Sequence, residues 1–189
     1  MTTISMLING QQKQASNGKT FERKSPLDGK VATTAPAATI EDAIEAIESA
    51  AKAFPEWAAK GPTERRALLL KAADALDAKT EDFIKAMAGE TGSAAMWAGF
   101  NAHLAANMLR EAASLTTQIN GDLIPSDVPG SLAMGVRQPA GVVLGMAPWN
   151  APIILGTRAV AVPLACGNTV VMKGSEVCPA PHSLIIESL

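Results

Sequence analysis

Apolar residues in the first 38 positions come in short runs, Ser5–Ile8 and Val31–Thr33, set between the turn pairs Asn9-Gly10, Asn17-Gly18 and Asp28-Gly29. That pattern predicts short strands or arm-like hairpins. From Thr39 the period lengthens. Thr39 with Asp42 is a capping-box pair, and Ile44, Ile47, Ala51 and Phe54 recur at helical spacing, predicting one buried stripe. Pro62 opens the next helix, with Leu68, Leu69, Ala72 and Leu76 as its stripe. A third segment carries Phe83, Ile84 and Met87 and is expected to break at Gly89-Glu90-Thr91-Gly92. An alanine-rich helix is predicted from Ser93 to Ile119, ended by Asn120-Gly121. Its alanines and Gly99 leave it thin enough for neighbouring helices to approach closely.

The pattern changes at Gly121. Asp122–Val128 and Ser131–Gln138 read as two extended runs around Pro129-Gly130, a hairpin projecting from the globule. After Pro139 come a strand over 141–146, a helix over 152–164, a strand over 169–173 and a helix beginning near Pro181. This is a βαβ unit. The expected fold class is therefore α/β, divided into a helical layer (1–120), the hairpin (121–139) and the first βαβ of a Rossmann-like parallel sheet (140–189).

Composition mainly excludes. Hydrophobic residues make up 48% and charged residues 18% of the 189, as in a globular domain. A net charge of −2 and 4% aromatics offer neither the electrostatics nor the stacking surface that nucleic acid requires. No apolar run reaches membrane-spanning length and no secretory signal opens the chain, so a cytoplasmic protein with reduced thiols is expected. Cys166 and Cys178 have no metal-ligand spacing and no basic neighbour to activate them, and no metal is expected. His103 and His182 show no partner pattern.

Polar residues stand where the two predicted strands end. Pro148-Trp149-Asn150 follows the first, Lys173 ends the second, and Glu176 lies three residues on. Open α/β sheets bind ligands outside the carboxyl ends of their strands. Each residue also has a plainer reading. Asn150 before Ala151-Pro152 is an ordinary helix N-cap. Lys173 and Glu176 suit a solvated surface. Arg158 can face water or pair with an acid, and Met146, Trp149, Ile154 and Leu155 can be core.

The runs Gly141–Gly145, Ala147–Asn150, Cys166–Thr169 and Val171–Lys173 with Glu176 occur in a specific order and spacing. With Leu7–Gly10 and Glu90–Gly92, they make the chain resemble the N-terminal part of the NAD(P)-dependent aldehyde dehydrogenases. Within that family it is most similar to those acting on aromatic aldehydes such as salicylaldehyde and vanillin. The resemblance implies that Asn150 is the oxyanion-hole asparagine and that Met146, Ala147 and Trp149 line the cofactor cleft. It implies that Lys173 and Glu176 hold the adenosine ribose hydroxyls, Glu176 favouring NAD over NADP by repelling a 2′-phosphate. Arg158 would donate to the ring oxygen of a hydroxylated aromatic aldehyde, with Ile154 and Leu155 walling its tunnel. The hairpin 121–139 would be the family's bridging arm, pairing subunits of a homo-oligomer, dimer or tetramer. Gly174 departs from the family, where proline is frequent.

The rest of the family's sheet, its glycine-rich turn, its general-base glutamate and its nucleophilic cysteine are not among these residues. Two expectations follow. The 189 residues alone should give no dehydrogenase turnover, and strand 169–173 should be an apolar edge prone to pairing. The competing class is a non-catalytic scaffold, assembly module or weak nucleotide binder. A third reading, an unrelated Rossmann-like regulator, requires Asn150, Lys173 and Glu176 to be coincidental.

Overall fold

The computed structural model describes all 189 residues. The amino-terminal arm holds β1 (Thr2–Thr3), β2 (Met6–Ile8), β3 (Gln11–Lys13), β4 (Thr20–Lys24) and β5 (Val31–Pro36). β5 pairs with β1 in parallel and with β4 antiparallel, while β2 and β3 form a hairpin of their own.

Then come α1 (Ile40–Ala59), α2 (Pro62–Ala78), α3 (Thr80–Thr91) and α4 (Ala95–Leu115). The capping box at the head of α1 forms as expected: the Thr39 hydroxyl accepts from the Asp42 N–H, and the Asp42 carboxylate accepts from the Thr39 N–H at 2.8 Å. Asp42 also accepts from the Ser16 N–H at 3.1 Å, which ties the arm to the helix. These bonds, the Thr39 amide first, hold its carboxyl below the usual range.

Three helical expectations need correction. The predicted break at 89–92 falls at its last residue, because α3 runs through Gly89, Glu90 and Thr91. Only Gly92, at φ +69°, adopts the left-handed conformation that ends a helix, donating back to the Ala88 carbonyl at 3.1 Å. The alanine-rich helix spans Ala95–Leu115 rather than Ser93–Ile119. The stripe on α1 is not buried either, since Ile44 and Ile47 are 48% and 50% exposed and Ala51 is exposed. α1 rests on a sheet of only two strands, which is too narrow to cover a helix of 20 residues.

The carboxyl-terminal third holds β6 (Asp122–Ile124), β7 (Ala133–Gly135), β8 (Val142–Met146), α5 (Pro152–Ala165), β9 (Thr169–Lys173) and α6 (Pro179–Ile186). The hairpin pairs Asp122 with Gly135 and Ile124 with Ala133, so its ladder is much shorter than the two runs the pattern suggested. β8 and β9 are parallel, with α5 as the crossover. β9 is an edge of this two-stranded sheet, as expected, with its first four residues covered or half-covered; β8 is the more exposed strand, with Leu144 and Met146 61% and 71% exposed.

The core is a cluster of 17 buried residues drawn from α2 to α6. Ala98, Ala102, Ala105, Ala106, Ala112 and Ala113 of α4 sit among Leu76, Phe83, Met87, Leu109, Ile153 and Ile185. Small side chains let the helix backbones approach, so the core is made by proximity as much as by bulk. Arg65 reaches from α2 to the Ala165 carbonyl at 3.1 Å, and the Trp57 indole donates to the Leu164 carbonyl at 3.1 Å. Both bonds tie distant helices to carbonyls at the end of α5, where intrahelical donors run out.

The turn from α5 into β9 is pinned twice. Gly167 sits at φ +83°, and a Cβ there would lie 2.9 Å from the Pro139 ring, so only glycine fits. The Asn168 side-chain oxygen accepts from the Ala140 and Gly141 N–H groups at 2.6 and 3.0 Å, and its amide donates to the Pro163 carbonyl at 3.1 Å.

Candidate functional site

Parallel pairing decides where the predicted site residues stand. β8 and β9 are in register from Val142↔Thr169 to Met146↔Lys173, and one further bond runs from the Ala147 N–H to the Lys173 carbonyl at 3.0 Å. The chain leaves both strands at the same edge. The loop after β8 carries Pro148, Trp149 and Asn150, and the loop after β9 carries Gly174, Ser175 and Glu176. This is the carboxyl edge of a parallel pair, where the open ends of strands accept ligands.

Asn150 is exposed and does not cap α5. The N-cap is Ala151, which has no side-chain cap bond, so the plain capping reading of Asn150 is set aside. Trp149 is exposed beside it, Met146 is exposed at the end of β8, and Ala147 is buried. Lys173 Nζ lies 3.3 Å from Glu176 Oε2, with both side chains open to solvent. The Glu176 carboxyl is held below the usual range, first by its own backbone amide and then by Lys173.

On α5, Arg158 is exposed and takes part in none of the ion pairs, so its pairing with an acid is not observed. Leu155 is half-buried and Ile154 is buried. The structure thus brings Met146, Ala147, Trp149, Asn150, Lys173 and Glu176 to one sheet edge, with Arg158 farther along the helix that begins there.

Sequence reading missed two buried groups beneath this edge. Glu90 on α3 is 1% exposed, and its carboxylate accepts from the Ala180 N–H at 3.1 and 3.2 Å, serving the first turn of α6 in place of a local cap. Burial pushes its carboxyl up to about 7, against the opposing pull of Thr33, Ala180 and Arg23. His182, for which no partner was expected, accepts at Nδ1 from the Ser175 N–H at 3.0 Å. His103 also has a partner, Asn107 one turn on at 3.0 Å. No motif marks the Glu90 contact, because it joins residues 90 positions apart.

The cysteines behave as structural groups. Burial first, and the Glu90 carboxyl second, push the Cys178 thiol up to about 12, so it is no nucleophile at neutral pH. Cys166 is half-buried, at the end of α5. No group of three or more His, Cys, Asp or Glu is arranged to hold a metal ion. No helix is long and apolar enough to cross a membrane. A cleft of about 360 Å³ lies elsewhere, between the amino-terminal strands, α3 and α6, and none of its lining comes from the two loops.

Residues 13–189 match the aldehyde dehydrogenase family model. A vanillin dehydrogenase of Pseudomonas fluorescens is 62% identical over 185 residues, covering 98% of this chain and 38% of that protein. The crystal structure of a salicylaldehyde dehydrogenase from Pseudomonas putida G7 complexed with salicylaldehyde superposes with a TM-score of 0.96 at 50% identity, covering 100% of this chain and 39% of that one. A NAD-dependent benzaldehyde dehydrogenase from Corynebacterium glutamicum superposes with a TM-score of 0.90 at 33% identity, covering 96% and 41%. The chain therefore spans well under half the length of these relatives and corresponds to their amino-terminal portion. With a family model matched over nearly its whole length and relatives this similar, the chain belongs to the aldehyde dehydrogenase family.

Proposed function

We propose that the protein carrying this chain oxidises an aromatic aldehyde of the salicylaldehyde or vanillin type to its carboxylate with NAD. The observation that carries this reading is the Met146↔Lys173 register with the Ala147-to-Lys173 bond, which supports a common edge for the Asn150 loop and the Lys173–Glu176 loop. The similarity to dehydrogenases of aromatic aldehydes supports the substrate class.

The donor set suits an adenosine ribose. Lys173 offers an ammonium and Glu176 a carboxylate, 3.3 Å apart and both open to solvent, able to donate to one vicinal hydroxyl and accept from the other. A carboxylate accepts from a free 2′-hydroxyl and repels a 2′-phosphate, which favours NAD over NADP. NAD, when bound, accepts the hydride from the substrate carbon. Asn150 donates its side-chain amide to the aldehyde oxygen as negative charge develops there, a donor worth about 3–4 kcal/mol of barrier. Arg158 donates to a ring oxygen of the substrate, and Leu155 and Ile154 wall its path. The cysteine nucleophile and glutamate base of the family are not among these residues, so we also read the 189 residues alone as inactive. A homo-oligomer joined through the hairpin 121–139 and a cytoplasmic location belong to the same reading.

Calorimetric titration with NAD tests the clamp: Lys173→Ala and Glu176→Ala should each weaken binding, and indifference to both would remove the cofactor assignment. In steady-state assays with salicylaldehyde, Asn150→Ala in the whole protein should lower kcat by about 10²–10³. The second reading, an assembly module, is favoured by one observation: Leu123, Leu132 and Met134 are all exposed on the hairpin. An oligomer that survives replacement of these residues by serine would count against it.

A further inference from the structure

We propose that His182 is a positioning residue that holds the Lys173–Glu176 loop to the start of α5, and so sets the geometry of the cofactor clamp. The proposal rests on the cofactor reading above and deepens it.

His182 stands in the first turn of α6 and is 2% exposed. Its Nδ1 accepts from the Ser175 N–H, the residue between Gly174 and Glu176 in the loop. Ser175 is itself the hub of that loop. Its hydroxyl accepts from the Val177 N–H at 3.2 Å and its carbonyl from the Cys178 N–H at 3.3 Å. Loss of the histidine acceptor would leave a buried amide unpaired at the centre of the turn that bears Glu176.

The ring fills a slot that two glycines leave open. A Cβ on Gly174 would lie 3.2 Å from His182 Cβ and Nδ1, and a Cβ on Gly156 would lie 3.1 Å from His182 Cδ2. Gly156 is on α5, six residues beyond Asn150. One imidazole is thus wedged between the loop of Glu176 and the helix that follows Asn150, so that a side chain on either glycine would press on it, at Gly156 together with Ile185.

The ring's protonation state suits this role. With Nδ1 accepting, the neutral tautomer carries its proton on Nε2, which is buried near the Pro152 and Pro148 carbonyls without a well-formed hydrogen bond. Burial, opposed by the Pro152 and Pro148 carbonyls and reinforced by Lys173, lowers the ring to about 4. The acceptor therefore persists at neutral pH. Cys178, at 4.0 Å, is the other titratable neighbour in contact with Nδ1 and stays a thiol.

The test uses the whole protein with three variants. His182→Ala removes the acceptor, His182→Asn keeps an oxygen near the Nδ1 position, and His182→Gln puts one near Nε2 instead. Hydrogen exchange of residues 174–178 should quicken in His182→Ala and His182→Gln and return toward the parent rate in His182→Asn. The dissociation constant for NAD should rise roughly fivefold to tenfold in the first two, with the asparagine variant within about twofold of the parent. If the alanine variant does not fold, the asparagine–glutamine comparison decides alone. Unchanged exchange in 174–178 overturns the positioning role. Quickened exchange with unaltered NAD affinity overturns the link to the clamp. NAD binding indifferent to Lys173→Ala and Glu176→Ala instead overturns the underlying cofactor reading, which the exchange measurement does not depend on.

Discussion

The seam of α4 and the outer face of β8 use similarly apolar residues and meet opposite fates. Along α4, six alanines and Leu109 are fully enclosed by α2, α3 and α5. Along β8, Val142, Leu144 and Met146 alternate onto a face that stays open to solvent, and α1 leaves Ile44 and Ile47 open nearby. Apolar character alone therefore does not identify the interior. Side-chain size separates the two regions better, because alanine lets a second helix come close enough to seal the contact and a larger residue on a two-stranded sheet waits for cover.

This contrast can be broken most sharply inside the seam. Leu109→Ala should cost about 2–5 kcal/mol of unfolding free energy, since it deletes a fully buried side chain and leaves a cavity. Ala105→Leu should cost about 1–3 kcal/mol by forcing α4 from its neighbours. Urea unfolding measures both. Tolerance of the leucine at position 105 would mean that the helices are not held together by small residues.

The interior also admits polar groups when they are partnered, and pH should reveal them. Glu90, raised from 4.5 to about 7, holds its proton more tightly in the folded chain, so its contribution is present below pH 4.5 and is lost as pH rises through about 7. His182, lowered from 6.5 to about 4, contributes above pH 6.5 and loses that contribution as pH falls through about 4. Between pH 4.5 and 6.5 the two slopes oppose. Glu90→Gln should leave stability rising with pH in that window, and His182→Asn should leave it falling. Parallel unfolding curves for both variants would show that neither group is perturbed as described.

The smallest effect is expected on the open face. Leu144→Thr should change unfolding free energy by no more than about 0.5 kcal/mol, because little of the side chain is covered. It should nevertheless reduce self-association in light scattering. A large loss of stability would show that β8 is more enclosed than its exposure indicates.

Most local signals in the sequence match the structure, with slips at element boundaries, and signals that depend on distant parts of the chain are not legible. The Thr39–Asp42 capping box and the β8–α5–β9 unit could be identified because each is specified within a few turns of chain. Gly89 misled because a glycine inside a helix costs only about 1 kcal/mol against alanine and need not stop it. Gly92, in the left-handed conformation, is the one that does. The α1 stripe had the right period but no information about how wide the opposing sheet would be. For the site, the two loops were placed by strand ends alone. The supports beneath them, Glu90 at Ala180 and His182 at Ser175, depend on how α3 and α6 fold back against the loops, which no spacing encodes.

Asn168 acts as a ruler for the sheet. Its side chain fixes where β8 begins against β9, four residue steps, or about 13 Å, from the Met146–Lys173 end. A slip of one residue at that amide would turn alternate side chains to the opposite face all along the strand and carry the ammonium at 173 away from its edge. The alignment of the outlet is thus decided at the inlet, by a buried amide at the far end of the strands.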